Sequence, residues 1–81
     1  MQYSGEGRGH SVGAIEGDGL IVVLEDDSRW GVYEGFASRS LSWQVGERIS
    51  VKPGNDEEFP YLLVNVSRND SVESCLIKDR E

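Results

Sequence analysis

The chain has little of what enzymes and nucleic-acid-binding proteins commonly use. Its 81 residues include one cysteine, one histidine and two lysines. The single cysteine, Cys75, cannot form an internal disulfide, so packing alone must hold the fold together. That usage favours a reducing compartment. We therefore expect a cytoplasmic location, with the periplasm as the open alternative.

Long apolar segments are also missing. The longest apolar run, from Leu20 to Leu24, has five residues, and a membrane-spanning helix needs about 20. No basic segment followed by an apolar run opens the chain, so we expect neither a signal peptide nor a membrane span.

Positive charge is scarce. The chain has 15 acidic and 8 basic residues and a formal net charge of −7. Such a protein repels phosphate backbones unless its few cations are clustered. The densest acidic groups, at 25–27 and 56–58, lie where turns are expected, and solvated loop tips explain them.

No combination of residues indicates catalysis. His10 is expected to be exposed and to lack an orienting partner, so it forms no catalytic dyad. Cys75 is expected to be a buried, inert thiol, and it could pair with His10 only if the first and last strands were neighbours. The run Glu25 to Asp27 lacks the alternating ligands of a calcium loop. The sequence therefore predicts a protein that is not an enzyme, with no catalytic residue, metal site or cofactor.

Turn signals divide the chain into short strands. Gly17-Asp18-Gly19, Asp26-Asp27-Ser28 and Pro53-Gly54-Asn55 are typical turn sequences. Gly31, inside a strand, indicates a bulge or a close backbone approach. The predicted strands cover residues 10–15, 20–25, 29–33, 48–52, 61–66 and 72–77.

This spacing of strands is typical of a barrel or sandwich. We predict an all-β domain at residues 10–81, a small, partly open barrel of five or six antiparallel strands, either SH3-like or OB-like. Residues 1–9 are predicted to be a flexible, glycine-rich tail. Alternation along the strands predicts a core formed by Leu20, Val22, Leu24, Trp30, Val32, Ile49, Val51, Leu62 and Val64. Trp43, in the turn before the strand at 48–52, is expected to join this core by capping the barrel end.

The loop at 34–42 is the longest gap between strong strands, and such loops often carry function. Exposed aromatic and arginine side chains are typical of binding hot spots. The candidate partner surface therefore consists of Tyr33, Phe36, Arg39 and Leu41. Alternatively, Phe36 and Leu41 form a lid over one barrel end, with a helical turn at 36–41.

A second possibility is binding of single-stranded nucleic acid by an OB-like barrel. That function requires cations to converge with aromatic rings. The residues concerned are Arg29, Arg39, Arg48 and Lys52, with Tyr33 and Phe36. The scarcity of lysine makes it the weaker hypothesis.

Three segments resemble a pattern in small bacterial β-barrel proteins of uncharacterised function. They are LEDDSRWGV at 24–32, SWQVGERISV at 42–51 and YLLVN at 61–65. Asp27 stands where that pattern has glycine, and Glu47 where it has aspartate. The resemblance covers residues 12–77 and implies the barrel, but no catalytic residues. The sequence thus predicts a non-enzymatic binding module whose partner is another protein.

Overall fold

The computed structural model describes residues 7–78, which form six strands, one short α-helix and two 3₁₀ turns. The turns are Gly17–Gly19 and Glu34–Phe36, and helix α1 is Ala37–Leu41. The strands are β1 (Gly7–Glu16), β2 (Ile21–Leu24), β3 (Arg29–Val32), β4 (Arg48–Pro53), β5 (Tyr61–Asn65) and β6 (Asp70–Lys78). No helix within the described part of the chain is long and apolar enough to cross a membrane.

The six strands form a closed antiparallel barrel in the order β1-β2-β3-β6-β5-β4. Two three-stranded meanders, β1–β3 and β4–β6, meet where β3 pairs with β6 and β1 with β4. The predicted all-β antiparallel barrel is confirmed, but the ring is closed where a partly open one was expected.

The length of β1 explains the closure. Its first half pairs with β4 and its second half with β2. The strand predicted at 10–15 was too short to do both. Residues 7–9, assigned to the predicted tail, therefore belong to the barrel, while residues 1–6 of that tail lie outside the described part of the chain.

The core fills the barrel interior. Trp30 lies at its centre, edge-to-face against Tyr61 with ring centroids 5.2 Å apart. Seven of the ten predicted core residues are buried: Val22, Leu24, Trp30, Val32, Trp43, Ile49 and Val51. Val12, Tyr61, Leu63 and Val72 complete the apolar cluster.

Three predicted core positions were wrong. Leu20 is 44% exposed, because it ends the first 3₁₀ turn and β2 begins one residue later. Leu62 and Val64 are only half-buried. Residues directly opposite in an antiparallel pair share a face, and Val51 pairs with Leu63. The inward positions of β5 are therefore Tyr61, Leu63 and Asn65.

The close approach predicted at Gly31 occurs against Cys75, its partner on β6. A Cβ atom at Gly31 would lie 3.2 Å from the Cys75 Sγ atom. Cys75 is half-buried and not buried as expected. Strand β6 pairs with β3 and β5 but not with β1, so the neighbouring strands that a Cys75–His10 pair would need do not occur.

Candidate functional site

The segment from Glu34 to Leu41 forms an ordered cap on one end of the barrel. It consists of the second 3₁₀ turn followed by α1, which agrees with the helical turn allowed by the sequence. The buried Ser40 hydroxyl donates a hydrogen bond to the Gly19 carbonyl oxygen at 2.6 Å. A Cβ atom at Gly19 would lie 2.1 Å from the Ala37 carbonyl oxygen. Helix α1 therefore packs directly against the Gly19 backbone, where a side chain would not fit.

Three rings meet beside this cap. Tyr33 packs edge-to-face against Phe36, with centroids 5.7 Å apart, and against Phe59, with centroids 5.4 Å apart. Tyr33 is 43% exposed, whereas Phe36 and Phe59 are half-buried. We call these three residues, together with Arg39, the aromatic patch.

Arg39 is held against the patch by three contacts. Its guanidinium carbon lies 4.6 Å from the Phe36 ring centroid, within the range of a cation–π interaction. One nitrogen donates to the Ser71 carbonyl oxygen at 3.1 Å and forms an ion pair with Asp70 at 3.6 Å. Arg39 is therefore held in position by contacts with Phe36, Ser71 and Asp70.

The structure thus brings together three of the four predicted surface residues. Leu41 is also exposed, at 54%, but it lies at the other end of α1, beside Gly19. Phe36, in contrast, packs partly against the barrel core, so it also has the lid role that the sequence left open.

Phe59 was not among the predicted surface residues. It joins the patch because Ser74 on β6 pairs with Val32 on one side and with Tyr61 on the other. The end of β3 and the start of β5 therefore lie on either side of the same residue in the middle of β6. The sequence signal for Phe59 is an aromatic residue directly before Pro60, where a strand starts. Assigning Phe59 to the same surface as Tyr33 requires knowledge of the strand order.

The rim of the patch is acidic. Glu34 follows Tyr33 directly, and the exposed run Asp56 to Glu58 directly precedes Phe59. Arg39 forms an ion pair with Asp70, so acidic residues outnumber unpaired basic ones in the segments that carry the rings. Such a surface complements a cationic partner.

A second polar cluster lies at the β1–β2 side of the barrel. His10 was expected to be exposed, but it is only 9% exposed. Its Nδ1 atom lies 2.9 Å from a carboxylate oxygen of Glu25, which also accepts the Ser11 N–H. His10 was expected to be exposed because it follows the flexible tail predicted at residues 1–9. In the structure β1 already begins at Gly7, so His10 lies within a strand.

Asp26 brings a third possible metal ligand to this cluster. One ligand atom each of His10, Glu25 and Asp26 lie within 4.8 Å of one another. Asp26 accepts bonds from both the N–H and the hydroxyl of Ser28. These three residues could hold a cation, although the sequence predicted no metal site. In the structure, these residues make hydrogen bonds that support the hairpin between β2 and β3.

Glu47 is the hub of a polar network at the start of β4. Its carboxylate accepts the Gln44 backbone N–H at 2.7 Å and the Arg68 side chain at 2.7 Å. The buried Asn65 amide donates to it at 3.2 Å. The bond from Gln44, followed by that from Arg68, lowers the pKa of Glu47 below its ordinary value.

Of the four cations proposed for nucleic-acid binding, only Arg39 lies at the patch. Arg29 forms an ion pair with Glu16, and Arg39 with Asp70. Arg48 and Lys52 line a separate groove in which neither Tyr33 nor Phe36 takes part.

Comparisons of the chain with protein-family models, curated proteins and solved structures found no match. The geometry and charge of the surface are therefore the evidence for its function.

Proposed function

We propose that the protein is a non-enzymatic binding module whose aromatic patch binds a basic segment of another protein. The observation that carries this proposal is the exposed Tyr33 ring, held edge-to-face between Phe36 and Phe59. An exposed ring whose position is fixed by neighbouring rings is the type of residue that dominates binding energy.

The patch is preorganised. Binding loses affinity when loops and side chains must become ordered on contact. Here Ser40 and Gly19 dock the helix, and Arg39 is bonded to the start of β6. A partner segment therefore meets rings that already occupy their positions, which supports a protein-binding role.

The acidic rim selects the chemistry of the partner. Glu34 and the run Asp56 to Glu58 favour a segment that carries arginine or lysine beside an apolar residue. The same rim repels phosphate backbones. Single-stranded nucleic acid is therefore the weaker candidate for this surface.

A peptide-display selection tests the proposal. A random library of short peptides is selected against the intact protein, and enriched peptides are measured against the parent and Tyr33→Ala. Val45→Ala serves as the control, because Val45 is exposed and apolar but lies outside the patch. We expect enriched peptides to combine a cation with an apolar residue and to lose at least tenfold in affinity for Tyr33→Ala, corresponding to about 1.4 kcal/mol.

Enrichment of acidic peptides, or equal binding to the parent and Tyr33→Ala, would show that the aromatic patch is not the binding surface. Submicromolar binding of single-stranded oligonucleotides that depends on Tyr33 would favour the nucleic-acid alternative.

A further inference from the structure

A groove with a volume of about 680 Å³ lies on the β1–β4–β5 side of the barrel. It includes the segment of β1 in which the register with β4 shifts. Gly7 pairs with Val51 and His10 with Ile49, so β1 has one extra residue in this interval. A bulge of this kind bends a strand and redirects a side chain. Here it places Arg8 at the groove.

The groove gathers cations in an acidic protein. Arg8, Arg48 and Lys52 all line it, and no acidic residue lines it among those that the structure describes. The groove cations differ from other arginines of the protein, which form ion pairs. Arg29, Arg39 and Arg68 each contact a carboxylate, whereas the three groove cations have no side-chain ion pair or hydrogen bond within residues 7–78.

Cations that surround a concave surface and have no ion pair within residues 7–78 attract anions. A cleft lined by one sign of charge concentrates the field and raises the local concentration of counter-ions. Arginine binds phosphate oxygens with two parallel hydrogen bonds, and lysine adds a compact charge. Ser11 and Ser50 also line the groove, and serine hydroxyls can donate to the same oxygens.

The size and the remaining wall of the groove define the ligand further. Val64 and Val66 give it an apolar side, suited to the uncharged body of a ligand. Pockets for small molecules are typically about 300–1,000 Å³, which includes this one. We propose that the groove binds a small phosphate-bearing molecule of nucleotide size, with Arg8, Arg48 and Lys52 contacting the phosphate.

A nucleic-acid strand fits this surface less well. A polymer extends beyond the groove and meets a protein of net charge −7, whereas each phosphate that is bound requires a nearby cation. The three groove cations match the two or three phosphates of a single nucleotide. The groove shares no lining residue with the aromatic patch, so the two proposals stand independently.

Calorimetric titration of the intact protein with AMP, ATP, pyrophosphate and citrate tests the inference at low salt. Arg48→Gln and Lys52→Gln remove groove cations, and Arg29→Gln is the matched control, because its cation is paired with Glu16 outside the groove. We expect ATP to bind, each groove variant to weaken it at least fivefold, and Arg29→Gln to change it less than twofold. A urea titration of each variant confirms that it is folded.

Four results would overturn the proposal. They are no detectable heat with ATP at about 1 mM, an equal loss of affinity in Arg29→Gln and Arg48→Gln, citrate binding as tightly as ATP, and a ten-nucleotide single strand binding at least tenfold more tightly than ATP. The last result would assign the groove to nucleic acid.

Discussion

The guanidinium carbon of Arg39 lies 4.6 Å from the centroid of the Phe36 ring. The two side chains touch, but their surroundings differ. Phe36 packs partly against the barrel core, whereas Arg39 is exposed and bonded to Asp70 and Ser71 at the start of β6. Replacing Phe36 should therefore affect the stability of the fold, whereas replacing Arg39 should affect mainly the binding surface.

We predict that Phe36→Ala destabilises the protein by about 1–3 kcal/mol, below the 3–5 kcal/mol of a fully buried phenylalanine. Arg39→Ala should stay within about 1 kcal/mol, because its ion pair is exposed. Urea unfolding of both variants measures these values. If Arg39→Ala is the more destabilising change, the cap is held by the arginine and not by the ring.

The two tryptophans differ in their indole N–H groups. Trp30 donates to the Ser28 hydroxyl at 2.9 Å. Trp43 Nε1 is the buried side-chain nitrogen that lacks a partner within residues 7–78. Leaving a polar partner without its hydrogen bond is destabilising. We therefore predict that Trp30→Phe is more destabilising than Trp43→Phe by at least about 1 kcal/mol.

Urea unfolding of the two phenylalanine variants makes this comparison, and Trp43→Ala provides the size control, with an expected loss of about 3–5 kcal/mol. Equal losses for the two phenylalanine variants would show that the Trp43 N–H is hydrogen-bonded after all. A loss below 1 kcal/mol for Trp43→Ala would mean that the ring is not part of the core.

Gly19 and Gly46 have the same backbone φ of +93°, so alanine is strained at both positions. Their surroundings differ, because a Cβ atom would lie 2.1 Å from the Ala37 carbonyl oxygen at Gly19 but would have open space at Gly46. We predict that Gly19→Ala is the more destabilising by at least about 2 kcal/mol. Thermal unfolding of both variants checks this, and equal midpoints would contradict the direct packing of α1 on Gly19.

Glu47 gives a pH dependence of defined sign. Its pKa is lowered in the folded state, so its contribution is present above the ordinary glutamate pKa of about 4.3 and is lost as the pH falls through the folded value. Relative to Glu47→Gln, the parent should be more stable at neutral pH, and this advantage should shrink below about pH 4. Urea unfolding across this range measures it, and a constant difference would contradict the network around Glu47.

The sequence predicted the strands better than their faces. β5 is apolar on both faces, so alternation could not choose between Leu62 and Leu63. The choice is made by pairing with Val51 on β4, a contact between residues distant in sequence. We expect Leu63→Ala to be more destabilising than Leu62→Ala by at least about 1 kcal/mol.

The sites show the same dependence on long-range contacts. Tyr33, Phe36 and Arg39 could be chosen from one loop because they are close in sequence. Phe59 reaches them only through the pairing of β3 and β5 with β6. The environments of Arg8 and His10 depend on β1 extending into the glycine-rich segment, where composition alone favoured disorder.

Whether the aromatic patch is the binding surface is decided by the affinity of a display-selected basic peptide for the parent and for Tyr33→Ala. The unfolding free energy of both proteins is measured alongside. Tyr33 is 43% exposed, but its loss removes two edge-to-face ring contacts. We therefore expect a cost of about 1–3 kcal/mol, less than the stability of a typical domain. We predict at least a tenfold weaker affinity for Tyr33→Ala in a protein that remains folded. An affinity within twofold of the parent would contradict the aromatic patch as the binding surface.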